Sequence, residues 1–79
     1  LKEKFDFVFI DAEKNQYLKY LKLLEKKNNL NKNCIIVADN VKIFAEEMKD
    51  YLEYVRNSEY YKSKFYDFIV DGMEVSIKI

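Results

Sequence analysis

"FDFVFIDAEKNQYLKYLKLLEKKNNLNKNCIIVADN" occupies Phe5–Asn40, and its reading decides the fold. It opens on an apolar run, Phe5–Ile10, interrupted only by Asp6. A run so continuous predicts a strand buried on both faces. It stops at Asp11. A helix is predicted over Asn15–Lys27, where Tyr17, Tyr20, Leu21 and Leu24 form an i, i+3, i+4, i+7 stripe. Lys19, Lys22, Lys26 and Lys27 lie mostly off that stripe and read as a solvated face. Asn28–Asn33 is rich in turn formers and reads as a loop. Cys34–Ala38 is a second short apolar strand, and it too ends on polar residues, Asp39 and Asn40. A strand, a helix and a strand in this order predict two parallel strands joined by a crossover.

Downstream, Phe44, Met48, Tyr51, Leu52 and Val55 mark a second helix ending near residues 56–58. Phe65–Val70 is aromatic and β-branched, broken only by Asp67. After Asp71-Gly72, Met73, Val75, Ile77 and Ile79 alternate with Glu74, Ser76 and Lys78. Strand-like runs on either side of Asp-Gly predict an antiparallel hairpin. The expected fold class is α/β, in the order β-α-β-α-β-β, with two parallel strands and a terminal antiparallel hairpin.

The composition narrows the function classes. The 79 residues carry 14 basic and 14 acidic side chains, a balance that favours neither nucleic acid nor a membrane surface as partner. Hydrophobic residues at 49% are too many for a disordered segment. The single cysteine, Cys34, sits in an apolar run and reads as a buried, reduced core thiol. No apolar stretch approaches the roughly 20 residues of a membrane span, and no signal-peptide pattern opens the chain, so a cytoplasmic location is expected. The chain starts on Leu1 with a strand almost at once, and is expected to be a piece of a longer protein.

Ligands of open parallel sheets sit beyond the carboxyl ends of the strands. Asp11 ends the first strand there, and Asp39 with Asn40 ends the second. Neighbouring strand ends lie about 5 Å apart, so the three side chains can converge. Two carboxylates and an amide oxygen make a hard donor set suited to Mg²⁺. Lys14 follows close behind Asp11 and can reach the same mouth, where an acceptor hydroxyl would have a proton to give up. The plainer reading is that acidic and Asn residues cap helices and start loops.

These residues resemble a family. "FVFIDAEKNQY" followed by "IIVADNV" is similar to the metal-binding half of the cation-dependent O-methyltransferases of the class I S-adenosylmethionine group. "YLEYVRNSEYY" and "FIVDGMEVSIKI" resemble the carboxyl-terminal end of the catechol O-methyltransferases more than the caffeoyl-CoA branch. The likeness covers nearly the whole chain. It implies a Rossmann-like sheet of which residues 1–79 are the carboxyl-terminal, metal- and acceptor-binding part, the amino-terminal cofactor-binding half being absent. It implies that Asp11, Asp39 and Asn40 bind Mg²⁺, that Lys14 deprotonates the attacking hydroxyl, and that a catechol-like diol is the acceptor. S-adenosylmethionine would touch only the backbone around Asp11, Ala12 and Glu13.

Some positions depart from the catechol pattern. Ala12 and Glu13 stand where those enzymes carry a histidine and a bulky aromatic. Their acceptor-binding carboxylate falls around Lys64–Phe65, with Asp67 close by. The glycine-rich loop and ribose-binding acid lie upstream of this chain, so the chain alone is expected to be inactive, and its open sheet edge to invite self-association. Two other readings stand beside this one. One is a receiver-type phospho-acceptor domain, although its Asp pair would precede the single aspartate. The other is a catalytically dead methyltransferase-like partner subunit.

Overall fold

A computed structural model describes residues 4–11 and 13–79. Besides a 3₁₀ turn, these residues form four strands and two α-helices: β1 (Phe5–Ile10), α1 (Tyr17–Lys26), β2 (Leu30–Ala38), α2 (Lys49–Asn57), β3 (Tyr61–Asp67) and β4 (Gly72–Lys78). The strands form one mixed sheet in the spatial order β1-β2-β4-β3. β1 runs parallel to β2, and β4 is antiparallel to both β2 and β3. The expected element order and the terminal hairpin are present. The last strand, not the first strand of the hairpin, lies against the parallel pair.

Both helices pack on one face of the sheet. Tyr17 and Leu21 of α1 and Tyr51, Leu52 and Val55 of α2 are buried with Ile10, Cys34, Ile36 and Ala38. The Tyr17 and Tyr51 rings meet edge-on at 5.7 Å between centroids, joining the helices. Burial pushes the Cys34 thiol above its ordinary range, as suits a core thiol. Glu25 of α1 ties this layer together, accepting hydrogen bonds from the Tyr54 and Tyr61 hydroxyls. No helix among the described residues is long and apolar enough to cross a membrane.

Several boundaries differ from the sequence reading. β2 begins at Leu30, inside the stretch read as a loop. Its pairing with β1 is irregular between Phe5 and Phe7; Asn33 adopts φ 69°, and Asn31 Nδ2 donates to Asp6 Oδ1 at 2.8 Å. Asparagine is a turn former that tolerates this left-handed conformation, so its frequency here concealed a bulged strand. The predicted first helix splits into a 3₁₀ turn, Lys14–Gln16, and α1. The second helix starts only at Lys49, because residues 41–48 coil as turns. The hairpin turn is 68–71, and Gly72 already pairs with Asp67 in the ladder.

The largest correction concerns burial. β1 is covered on one face only: Phe7 is 59% and Phe9 49% exposed. Two cross-sheet rows, Phe7–Ile35–Ile77 and Phe9–Val37–Val75, make an apolar face opposite the helices. The alternation in β4 is therefore the reverse of a lone two-layer domain. Its polar members Glu74 and Ser76 are fully buried against the helices, and Ile77 is exposed. Glu74 is held there by Arg56, with bonds of 3.0 Å and 2.7 Å, and by Ser63 Oγ at 2.6 Å.

Candidate active site at the carboxyl edge of the parallel strands

β1 and β2 finish in register, with Ile10 opposite Ala38. Asp11 and Asp39 are the next residues on adjacent parallel strands, so the two carboxylates leave the sheet at the same edge. Asn40 follows in the left-handed region, at φ 61°. Asparagine accepts that conformation more readily than most residues, and the turn ends β2 abruptly. Asp39 Oδ1 accepts the Asn40 backbone N–H at 2.8 Å.

Lys14 reaches this edge from the 3₁₀ turn. Its Nζ donates to Asn40 Oδ1 at 3.2 Å and to the Tyr17 hydroxyl at 3.1 Å. It also lies 5.4 Å from the Phe44 ring centroid, in cation–π range. The ammonium is thus half-buried between two aromatic rings and the end of β2.

The structure brings Lys14 onto Asn40, the residue that follows Asp39 at the end of β2. Asp11 and Glu13 are exposed beside them. Among the described residues, the hydrogen bonds at this edge join Lys14, Asn40 and Asp71 and do not include Asp11, and no group of three or more His, Cys, Asp or Glu side chains is gathered for a metal. What the edge offers is two carboxylates on neighbouring strand ends and one amide oxygen, a donor set whose chemistry fits a hard divalent cation. Asp11 and Glu13 also border a groove of about 420 Å³ with Val8, Phe9, Tyr20 and Leu23, along β1 and α1. Ala12, expected to contact the cofactor with them, lies outside the described residues.

One residue of this edge escaped the sequence reading. Asp71 was absorbed into the Asp-Gly turn signal, yet its Oδ2 accepts Asn40 Nδ2 at 2.7 Å. Its Oδ1 accepts the backbone N–H groups of Lys42 and Ile43, each at 3.2 Å, and of Gly72 at 2.8 Å. The Asn40 amide, then these backbone donors, hold the Asp71 carboxyl below its ordinary range. Because β4 is antiparallel to β2, the amino end of β4 meets the carboxyl end of β2. A search of strand ends in the carboxyl direction passes over such a residue. Asp67, the acid close to Lys64–Phe65, is engaged elsewhere: it accepts Lys42 Nζ at 2.8 Å and the Ile69 N–H at 2.9 Å.

Known proteins resemble this chain over nearly its whole length. Residues 1–71 match the family model described as O-methyltransferase. Catechol O-methyltransferase B of Danio rerio is 43% identical over 81 residues, covering 95% of this chain and 30% of that protein. Catechol O-methyltransferase of Bos taurus is 39% identical over 85 residues, again across 30% of its length. The chain therefore spans about 30% of these curated relatives. The SAH-bound methyltransferase of Podospora anserina has the same fold, with a TM-score of 0.82 at 19% identity over 100% of this chain and 43% of that one. The O-methyltransferase of Bacillus cereus in complex with SAH gives 0.81 at 19% identity, covering 98% and 41%. With nine-tenths of its length inside the family match, the chain belongs to the O-methyltransferase family.

Proposed function

We propose that residues 1–79 form the carboxyl-terminal, metal- and acceptor-binding part of a single S-adenosylmethionine-dependent O-methyltransferase domain. In this reading the cofactor-binding half lies in sequence this chain lacks. The observation that carries the proposal is the Lys14 Nζ–Asn40 Oδ1 contact of 3.2 Å, which joins a base and a polar strand end 26 residues apart. The family membership and the SAH-bound neighbours of the same fold support the reaction class.

Asp11, Asp39 and Asn40 would hold Mg²⁺ through their side-chain oxygens. Bound there, the ion would supply positive charge that lowers the pKa of an acceptor hydroxyl. Lys14, as the free amine, takes the hydroxyl proton on Nζ. The oxygen's electron pair forms the new bond to the methyl carbon, and the S–CH₃ pair returns to sulfur, leaving a neutral thioether. Phe44 and Tyr17 flank the Lys14 amine with their rings. Opposite charges on acceptor and donor cancel in the transfer, so catalysis rests on orientation and electrostatics. The backbone around Asp11, Ala12 and Glu13 is the part of this chain offered to the methyl donor.

The acceptor proposed is a catechol-like vicinal diol, whose adjacent hydroxyls suit a hard oxygen cluster; the names of the curated relatives support it. A cytoplasmic location goes with this reading. The test is Asp39→Ala in the full-length protein, which is expected to abolish Mg²⁺-dependent methylation. Wild-type turnover undiminished by EDTA would overturn the metal assignment.

A further inference from the structure

Asn40 is held at both ends of its side-chain amide. Lys14 Nζ donates to Oδ1 at 3.2 Å, as it can both as the ammonium and as the amine of the proposed reaction. Asp71 Oδ2 lies 2.7 Å from Nδ2, and an ionised carboxylate can only accept. The Asp71 carboxylate, an acceptor only, therefore fixes which end of the amide is nitrogen, and the oxygen faces Lys14. We propose that Asp71 is the positioning residue of this site: its carboxylate sets the Asn40 amide so that Oδ1, not Nδ2, faces the edge shared by Asp11, Asp39 and Lys14. The inference rests on the metal-site reading above and adds the group that orients one ligand.

The division of labour within Asp71 makes this testable. Oδ1 takes three backbone N–H groups, from Lys42, Ile43 and Gly72, and so shapes the start of residues 41–48 and of β4. Oδ2 takes only Asn40 among the described contacts. Asp71→Asn keeps an oxygen for the backbone donors and places an NH₂ opposite the Asn40 NH₂. Two donors cannot bond, so the Asn40 amide must turn, presenting nitrogen to Lys14 and to any cation. A purely structural Asp71 would tolerate this isosteric change. The reciprocal variant Asn40→Asp with Asp71→Asn restores one donor and one acceptor across the contact and leaves net charge unchanged. Aspartate also tolerates the left-handed backbone at position 40.

The experiment uses the full-length protein with Mg²⁺ as the probe. Calorimetry should show the Mg²⁺ dissociation constant raised roughly 10–100-fold in Asp71→Asn, the usual cost of losing an orienting partner. In the double variant it should return towards the wild-type value. Without metal, the Asn40 side-chain amide signal in a ¹⁵N–¹H spectrum, identified by its loss in Asn40→Asp, should shift in Asp71→Asn. Wild-type Mg²⁺ affinity in Asp71→Asn overturns the proposal. If the wild-type protein binds no Mg²⁺, the metal reading fails by itself. The orientation is then judged on the amide signal alone: a shift sustains it and an unmoved signal overturns it.

Discussion

Lys14 joins only exchangeable contacts: an amide oxygen, a tyrosine hydroxyl and two ring faces, all at the rim of the sheet. Its removal takes from the buried Tyr17 hydroxyl the one hydrogen bond described for it, whereas its chemistry has no substitute nearby. Lys14→Ala in the full-length protein should lower kcat by roughly 10²–10⁴, the range of a general base, with a stability loss no larger than the roughly 1–3 kcal/mol of one unsatisfied hydroxyl. A large loss of stability with normal turnover would make Lys14 a structural residue. Gly72 is the opposite case. A Cβ there would meet Phe65 Cε1 at 2.5 Å and the Tyr66 carbonyl oxygen at 2.7 Å. The backbone atom cannot yield cheaply, so Gly72→Ala should destabilise by about 1–3 kcal/mol in urea unfolding. An unchanged midpoint would show that the hairpin accommodates the methyl group.

At the scale of elements, β4 is held on its helix side by polar chemistry. Glu74 is fully buried, and its partners come from α2 (Arg56) and β3 (Ser63), with Ser63 and Ser76 hydroxyls 2.7 Å apart. Arg56 reaches solvent, so the cost of losing it falls on the carboxylate left behind. Arg56→Ala should cost about 3 kcal/mol by stranding a buried charge, measured as a fall in the urea midpoint. Glu74→Gln in the same background should recover part of that loss, because a neutral amide is cheaper to bury unpaired. No recovery would show that Arg56 acts through its alkyl stem and not its charge.

At the scale of the whole molecule, the apolar rows through Phe7, Ile35 and Ile77 lie on a face without helices among the described residues. Contiguous apolar surface of this kind marks an interaction site or an aggregation liability. β1 also stands at the sheet edge with one side unpaired by any described strand. The 79-residue chain alone is therefore expected to self-associate, seen as concentration-dependent mass in sedimentation, and to show no calorimetric binding of S-adenosylmethionine. A monodisperse monomer that binds the methyl donor at micromolar concentration would overturn both this expectation and the proposed division of the domain.

Local pattern was enough to read the element types and the β-α-β unit with its terminal hairpin. Strand periodicity, the i, i+3, i+4 stripes and the Asp-Gly signal are properties of neighbouring residues; Asp11, Asp39 and Asn40 stand out because they end such elements, and Lys14 because it follows Asp11 closely. Asn28–Asn33 misled because asparagine serves turns and bulged strands alike, and only pairing with β1 distinguishes them. Periodicity also shows that β4 has two faces without showing which is inside. That Glu74 and Ser76 are inward depends on Arg56 and Ser63, brought from other elements. Asp71 belongs to the same class: its place beside Asn40 follows from β4 lying antiparallel against β2, a long-range pairing that no local stretch encodes.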